Sequence, residues 1–417
     1  MGTIAINTGL GLGGLVGGMI NETWGWRWAF FVVLPLIIVS GIGFALFLPD
    51  YIPYGEQQNM RDRLRRIDFG GSFTLVSALV VFMYGLNSET TDGIPSVLLL
   101  KVAMPIATAL LAVFVLIEIK FAQEPILPIK LLRLRTVSGA SLTAGFVSTS
   151  VYILMFYVPL YFQLLGFGTQ ETGLLLLPQS IGGAIGSFSA GLTMRLTGKY
   201  GTLKMVVLGL YVAGATGLTT STATAPIMLS ETYLFILGLG YGGILTVMLL
   251  ALLSAVGKKD QAATTAILFV FRTTGATLGV TLSSTVFRNV LVSNLYGDHT
   301  SDPSPQDHYK SAGFDGLDQT LRECARRRLR EGPSGLCPPQ LVQAYMSALH
   351  APFLLALVFT IAGFVSGAFT KNNHLSKSRQ ALAGDIKNDR RSTVIRDQNG
   401  DPNHAERQEG NNDYQPL

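Results

Sequence analysis

One arginine lies inside a long stretch of apolar and small residues. Arg272 stands about ten positions into the segment 263–287, which has no other charged residue. At about 1.5 Å per helical residue it lies roughly 14 Å along the axis. A cation that deep in a membrane costs about 3 kcal/mol on insertion scales, so it faces the protein interior or water. Arg272 is thus a candidate for binding or coupling a substrate; the alternative is a structural arginine held by backbone carbonyls or a carboxylate.

Uncharged polar residues in other apolar segments are further candidates. Tyr152 and Tyr157 share a segment with Tyr161, and their hydroxyls either line a polar pocket or anchor the chain at the membrane surface. We expect Tyr161, at the segment end, to be an anchor and leave the other two open. Gln179 follows a proline inside the next segment, and Asn7 lies in the first one. Gln179 is a candidate for lining a cavity, and both residues are candidates for solute binding or gating.

Small residues recur four positions apart in three segments. This spacing places them on one helix face and lets two backbones approach closely. The contact is either fixed packing or packing that moves during alternating access. The glycines concerned are Gly9, Gly13, Gly14, Gly17 and Gly18 in the first segment, Gly182 and Gly186 in the sixth, and Gly275 and Gly279 in the ninth.

Motifs of enzymes are absent from the sequence or lie in the wrong context. Two matches to the dinucleotide pattern G-x-G-x-x-G, from Gly9 and Gly238, fall within apolar segments rather than between a strand and a helix. There is no phosphate-binding G-x-x-x-x-G-K-[ST] motif and no Cys/His set for a metal. We therefore expect no enzyme activity, no metal and no cofactor. Cys324 and Cys337 are the two cysteines, and a disulfide between them is possible in an oxidising compartment.

The elements that carry these residues are predicted to be membrane-spanning helices. Of 417 residues, 48% are hydrophobic and only 14% charged, against about 25% charged in soluble domains. The fold class is therefore an all-α integral membrane protein with about ten transmembrane helices. The predicted segments are 4–20, 28–48, 69–87, 98–118, 138–162, 173–193, 203–223, 232–254, 263–287 and 349–369.

Basic residues alternate between successive loops. Lys and Arg cluster in 61–66, 120–135, 195–204 and 258–259, whereas the intervening short loops carry none. Short basic loops remain in the cytosol. This places the basic loops and the C-terminus in the cytosol. The loop 289–345 is predicted to be outside despite its basic residues, because long loops escape the charge rule, and 371–417 is predicted to be a disordered tail.

The first segments resemble those of a known family. GLGLGGLVGG, from Gly9 to Gly18, resembles the antiporter signature G-x-x-x-G-P-x-x-G-G in the fifth helix of the major facilitator superfamily. WRWAFF, from Trp26, resembles the start of the sixth helix in the fourteen-span drug:proton antiporter branch. DFGG, from Asp68, is similar to the entry of that branch's seventh helix, and 191–200 resembles a degraded copy of the family's G-x-L-x-D-R-x-G-R-R loop.

Two later runs resemble fungal vacuolar basic amino acid transporters: 172–200, with LPQS and RLTGKY, and LFVFRTTG around Arg272.

The sequence departs from the family pattern in three places. Gly14 replaces the signature proline, and Arg195 stands where the family loop has aspartate. The ten segments correspond to helices five to fourteen, so the chain looks truncated at its N-terminus.

The resemblance implies a domain organisation. Residues 1–48 would be the last two helices of the N-terminal bundle, and 49–135 a linker region with two extra helices. Residues 136–370 would be the C-terminal six-helix bundle.

The resemblance also implies a secondary transporter, a proton-coupled antiporter of basic amino acids or other cationic or amphipathic solutes. A proton gradient would drive it. The alternatives are a multidrug efflux transporter and a membrane protein or fragment that does not transport. The expected partners are a small solute and the lipid bilayer, with no nucleic acid, and the chain is expected to be monomeric. The vacuolar membrane is favoured over the plasma membrane.

The loop charges predict which segments an impermeant reagent reaches. In a chain whose native cysteines are replaced by serine, Ser304→Cys should react with an impermeant maleimide in sealed membranes whose lumenal or extracellular face is turned outward. Ser378→Cys should react only after the membrane is opened. Labelling of Ser378→Cys in intact membranes would reverse the predicted orientation.

Overall fold

A computed structural model describes residues 2–47, 68–87, 96–120, 128–198, 200–221, 225–257, 260–296 and 339–370 of the protein. Within these ranges every regular element is helical, and all lie in one compact unit, Met1–Asn372. The helices are α1 (Gly2–Thr23), α2 (Trp26–Phe47), α3 (Phe69–Asn87), α4 (Ser96–Lys120), α5 (Ile129–Leu132), α6 (Arg135–Leu164), α7 (Thr169–Leu175), α8 (Leu177–Thr197), α9 (Gly201–Thr220), α10 (Ile227–Ala255), α11 (Gln261–Tyr296) and α12 (Pro339–Phe369).

Nine of the ten predicted segments each coincide with one long helix, the sixth is divided between α7 and α8, and the all-α membrane fold is confirmed. Eight helices in the described ranges are long and apolar enough to cross a membrane: α2, α3, α4, α6, α9, α10, α11 and α12. The two other long ones, α1 and α8, are rich in glycine, and α8 also in serine and threonine. Such residues lower the hydropathy of a helix, although they favour close packing between helices.

The predicted sixth segment is two helices rather than one. The chain leaves regular helix at Leu176, between α7 and α8, and Pro178 follows in the first turn of α8. Proline is tolerated at that position because its missing N–H would have no partner within the helix.

At the other end of α8, Gly198 has a φ of 65°. Glycine adopts this left-handed conformation without strain, and it commonly ends a helix.

Six long helices form the main bundle. The helix α10 packs against α8, α9 and α6, and α6 packs against α11 and α12, while α12 also contacts α9 and α11. The helix α1 lies against α7 and α8. The pair α3 and α4 pack together, and α3 contacts α11. The proposed division at residues 48, 135 and 370 stays a prediction, and the expected tail at 371–417 lies outside the described residues.

The contact between α8 and α10 is made by glycines. A methyl group added at Gly182 or Gly186 would meet the backbone of Phe235 and Leu239, respectively. From the opposite side, a methyl at Gly242 would meet the carbonyl of Gly183. Such contacts leave no room for any side chain, and the two backbones are therefore in direct van der Waals contact. We call this contact the glycine seam.

A second face of α10 packs closely against α9. A Cβ at Gly240 would lie 2.5 Å from the backbone N of Tyr211, and one at Gly214 of α9 would lie 2.6 Å from the N of Leu237. The central helix α10 therefore meets neighbours on two sides through glycines. Consequently, few side chains project from its middle turns, and Tyr241 is the large one among them.

The last turn of α12 is held by two cations from other helices. The Nζ of Lys204, which is buried at 1% exposure, donates to the carbonyl of Thr370 at 2.9 Å. The Nε of Arg135 donates to the carbonyl of Phe369 at 3.0 Å. The final carbonyls of a helix have no partners within it and carry partial negative charge. The two cations therefore satisfy these carbonyls and fix the end of α12 against α6 and α9.

The glycine seam predicts a strong contrast between two Gly→Ala variants. Gly242→Ala should lower the thermal stability of the detergent-purified protein, because the added methyl meets Gly183. Overpacking of this kind costs about 1–3 kcal/mol. Gly209→Ala on α9 is the matched control, since a methyl there has nothing within 4 Å. Fluorescence-detected size exclusion after heating measures both, and equal midpoints would contradict the close contact.

Candidate functional site

Arg272 lies on α11, partly buried. It is 11 residues from the first residue of the span Gln261–Leu291, or about 16 Å along the axis, which is near the midplane of a hydrocarbon core about 30 Å thick. Its guanidinium carbon is 5.5 Å from the centroid of the Phe269 ring. Its Nε is buried and donates to no acceptor among the described residues. Arg272 therefore lies at the depth predicted from the sequence, and its Nε faces the protein interior.

Tyr241 of α10 is the residue that faces this cation. Its side chain is buried at 5% exposure and lies within side-chain hydrogen-bonding reach of Arg272. Tyr152 of α6 is near enough to interact electrostatically with Tyr241, and it is exposed. Three helices thus bring one cation and two phenol groups together. We call Arg272, Tyr241 and Tyr152 the polar cluster.

Behind the polar cluster, hydroxyl groups form a buried network. The rings of Tyr241 and Tyr211 have centroids 6.4 Å apart, and the Tyr211 hydroxyl donates to the Oγ of Ser150 at 3.2 Å. Ser150 and Thr360 share a hydrogen bond of 2.7 Å. The network links α6, α9, α10 and α12. Because buried hydroxyls are costly without partners, these bonds fix Tyr211, and the ring of Tyr241 packs against it.

The polar cluster is suited to binding an anion. The guanidinium of Arg272 presents several N–H donors in a planar fork that matches a carboxylate. Tyrosine hydroxyls add neutral donors, while their rings favour a nearby cation. A small zwitterion that carries both a carboxylate and an ammonium group would therefore find complementary groups here.

Tyr157 was an open candidate, and the structure places it in the helix packing. Its side chain is buried at 3% exposure and hydrogen-bonded to the side chain of Ser283. Its ring centroid lies 5.3 Å from that of Phe287 on α11. Tyr161, expected to be an interface anchor, is also buried, at 7% exposure, and packs on Phe353 at 6.2 Å. The anchor interpretation of Tyr161 is wrong, because α6 continues beyond it and α12 covers it.

Asn7 and Gln179 lie at the edge of the glycine seam. A Cβ at Gly183 would lie 2.5 Å from the Asn7 Oδ1, so this buried amide fills the space beside a glycine of α8. The backbone carbonyl of Gln179 faces Gly238 of α10, and its side chain is half-buried. Their positions place them where α1, α8 and α10 meet. Their proposed role in solute binding stays a prediction.

The glycines of the antiporter-like motif divide into two groups. Methyl groups added at Gly9, Gly13, Gly14 or Gly17 would meet nothing within 4 Å, whereas one at Gly18 would lie 2.9 Å from the carbonyl of Thr169. The carbonyl of Gly14 in turn lies 2.8 Å from the Cβ position of Gly173 in α7. Gly9, Gly13 and Gly17 therefore lie where the described helices leave open space, whereas Gly14 contacts α7 through its carbonyl and Gly18 contacts Thr169.

Two other glycines form the contact between α11 and α6. A methyl at Gly275 would meet the Gly145 carbonyl, and one at Gly279 would lie 2.5 Å from the Thr149 carbonyl. This close approach places Arg272, one turn before Gly275, against α6. Cys324 and Cys337 lie outside the described residues, so their disulfide stays a prediction. Within the described ranges no three His, Cys, Asp or Glu side chains come together as a metal site would require.

Sequence reasoning missed Tyr241, Tyr211 and the Ser150–Thr360 pair. Tyr241 stands between Gly240 and Gly242 at the centre of the segment 232–254, whose other polar residues are Thr232, Tyr233, Thr246 and Ser254. A single tyrosine at the centre of a glycine-rich span was the available signal. The small hydroxyl residues gave none, because serine and threonine are common in membrane helices and bond to their own backbone.

The helices bring a cation and several hydroxyl groups together near the midplane of the membrane. This arrangement defines a polytopic membrane protein with an internal polar site. The chain belongs to the Major Facilitator Superfamily, whose family model matches residues 1–280.

Curated relatives agree with this assignment. The chain is 29% identical over 380 residues to the multidrug resistance protein fnx1 of Schizosaccharomyces pombe, covering 88% of this chain and 67% of that protein. It is 29% identical over 388 residues to the vacuolar membrane amino acid uptake transporter fnx2 of the same yeast, covering 88% and 61%. It is 31% identical over 306 residues to the vacuolar basic amino acid transporter 2 of Saccharomyces cerevisiae, covering 68% and 63%. The chain thus spans about two thirds of the length of these relatives.

The exposure of Tyr152 predicts a water-accessible surface next to Arg272. In a chain whose native cysteines are replaced, Tyr152→Cys should react with a water-soluble maleimide, because a polar cluster that receives solutes must be hydrated. Val358→Cys on α12 is the control, since Val358 is also exposed but lies between Leu357 and Phe359 in an apolar run, where lipid excludes the reagent. Equal failure of both to react would show that Tyr152 faces lipid.

Proposed function

We propose that this chain is a secondary transporter that exchanges protons for basic amino acids or similar cationic solutes. The observation that carries the proposal is the polar cluster, in which Arg272 faces Tyr241 near the middle of the membrane. An intramembrane cation is expensive, and here its Nε is buried without a partner among the described residues. A solute carboxylate is the group that would complete its hydrogen bonding.

The remaining groups of such a solute also suit the site. A basic amino acid carries an α-ammonium and a cationic side chain, which favour the faces of aromatic rings. Tyr241 and Tyr152 supply these rings beside Arg272. The names of two relatives, the vacuolar amino acid uptake transporter and the vacuolar basic amino acid transporter, support this substrate class. They also support the vacuolar membrane as its location, with the plasma membrane as the alternative.

Multidrug efflux is the second candidate. The relative fnx1 is named as a multidrug resistance protein, and an aromatic cluster beside a hydrated surface also accepts amphipathic cations. The two candidates differ in what they need from Arg272. An amino acid needs its fork to hold the carboxylate, whereas a cationic drug has no group that would pair with a guanidinium.

In this proposal the proton gradient drives exchange and no further cofactor takes part. Arginine is a permanent cation in proteins, so Arg272 is assigned to positioning the solute and not to carrying the exchanged proton. In this proposal the chain acts as a monomer. Its C-terminus lies in the cytosol, because the basic loops indicate that orientation. Alternating access would move helices about the midplane site, as in other transporters of this architecture.

Uptake into sealed vesicles tests the proposal directly. The purified chain is reconstituted in vesicles that are acidic inside, and radiolabelled lysine is added outside. Lysine should accumulate above the level in protein-free vesicles, and a protonophore should abolish the excess. If the vesicles accumulate a cationic dye but not lysine, the substrates are amphipathic drugs rather than basic amino acids. The absence of any proton-dependent flux would show that the chain by itself does not transport.

Substitutions of Arg272 test its role in that assay. Arg272→Ala should reach the membrane in normal amount yet lose most lysine flux, because both the charge and the fork are gone. Arg272→Lys should lose less, since the charge remains. Thr273→Ala is the control, because Thr273 is exposed and its hydroxyl bonds only to its own helix. Wild-type flux in a well-expressed Arg272→Ala variant would remove Arg272 from the site, and degradation of that variant alone would assign it a structural role.

A further inference from the structure

A groove between α6 and α12 lies apart from the polar cluster. It has a volume of about 550 Å³, within the range of about 300–1,000 Å³ that is common for small-molecule sites. Its lining is mainly apolar and comes from both helices: Leu142, Phe146, Ala362, Val365 and Phe369. Leu142, Val365 and Phe369 are exposed. The groove therefore opens on the outer side of the two helices.

The length of the groove corresponds to one leaflet of a bilayer. It extends from Arg135 at the start of α6 to Phe146 on the same helix. These residues are 11 positions apart, or about 16 Å of helix. Half of a hydrocarbon core about 30 Å thick has a similar depth. A groove of this length accommodates one acyl chain that runs from the membrane surface to the midplane.

The mouth of the groove carries positive charge. Arg135 lines it, and the hydrogen bond from its Nε to the Phe369 carbonyl fixes the guanidinium there. Its remaining donors form the planar fork that binds phosphate. Lys130 and Arg133, both exposed, precede it by five and two residues. No Asp or Glu occurs in 125–146 or in 339–370, so neither helix of the groove supplies a compensating negative charge.

We propose that this groove binds an anionic phospholipid, with one acyl chain along α6 and α12 and the phosphate on Arg135. Charge complementarity selects an anionic headgroup, because clusters of Lys and Arg between membrane helices attract such lipids. Ser138, one turn from Arg135 on the same face, supplies a hydroxyl for the glycerol ester region. The bound lipid would tie α6 to the end of α12, which Arg135 already holds.

Native mass spectrometry of the purified chain tests the proposal with phosphatidylserine and phosphatidylcholine as probes. The wild-type chain should retain phosphatidylserine in preference to phosphatidylcholine. Arg135→Gln should reduce the retained phosphatidylserine by about five-fold, which is the contribution of one basic residue at a membrane surface. Ala362→Trp should reduce it as well, because the indole fills the groove while Arg135 and its bond to Phe369 remain.

Arg195→Gln is the matched control, since it removes one exposed arginine near the end of α8 without touching the groove. It should retain phosphatidylserine as the wild type does. The proposal is overturned if Ala362→Trp retains the wild-type amount, because lipid then binds elsewhere. It is also overturned if phosphatidylcholine is held equally, or if Arg195→Gln loses as much lipid as Arg135→Gln. Because lipid retention requires no transport, failure of the transport proposal leaves this test unaffected.

Discussion

Direct contact between the backbones of α8 and α10 determines the arrangement of the rest of the bundle. Gly182, Gly186 and Gly242 leave no space between the two helices, and α10 meets α9 through Gly214 and Gly240 in the same way. Within a bilayer, helices gain little from the hydrophobic effect when they associate, so van der Waals contact between close backbones is a main source of attraction. The central position of α10 follows from its having glycines on two sides.

Glycine on two faces of α10 restricts where polar chemistry can occur. The large side chain at its centre is Tyr241, which points toward Arg272 and packs near Tyr211. The Ser150–Thr360 bond then positions Tyr211. The glycine contacts on two faces of α10 leave space for Tyr241 only on the side of Arg272. There its hydroxyl partly offsets the cost of placing an arginine within the membrane. The polar cluster and the close helix contacts are consequences of the same glycine pattern.

The sequence was sufficient for the helices and for part of the site. Hydropathy located ten segments because each membrane span must satisfy its backbone internally, and Arg272 stood out because a deep cation is rare. The break at Leu176 was missed, since hydropathy alone does not register a bend. Tyr241 was missed because helical periodicity shows which residues share a face of one helix, but not which residue of another helix lies against that face. For the same reason the spacing of Gly9, Gly13 and Gly17 gave a shared face but not what lies against it.

The glycine seam also bears on how such a bundle would move. Interlocked side chains resist displacement because each one must leave its pocket, whereas a surface of glycines presents no such obstacle. Along the seam, the buried hydrogen bond of 2.8 Å between Ser187 and Thr246 is a specific link between α8 and α10. Displacement of α8 along α10 would break this bond, while a small rotation about it would preserve it. The geometry therefore favours rocking of α8 about the Ser187–Thr246 contact over translation along the seam, if alternating access moves these two helices.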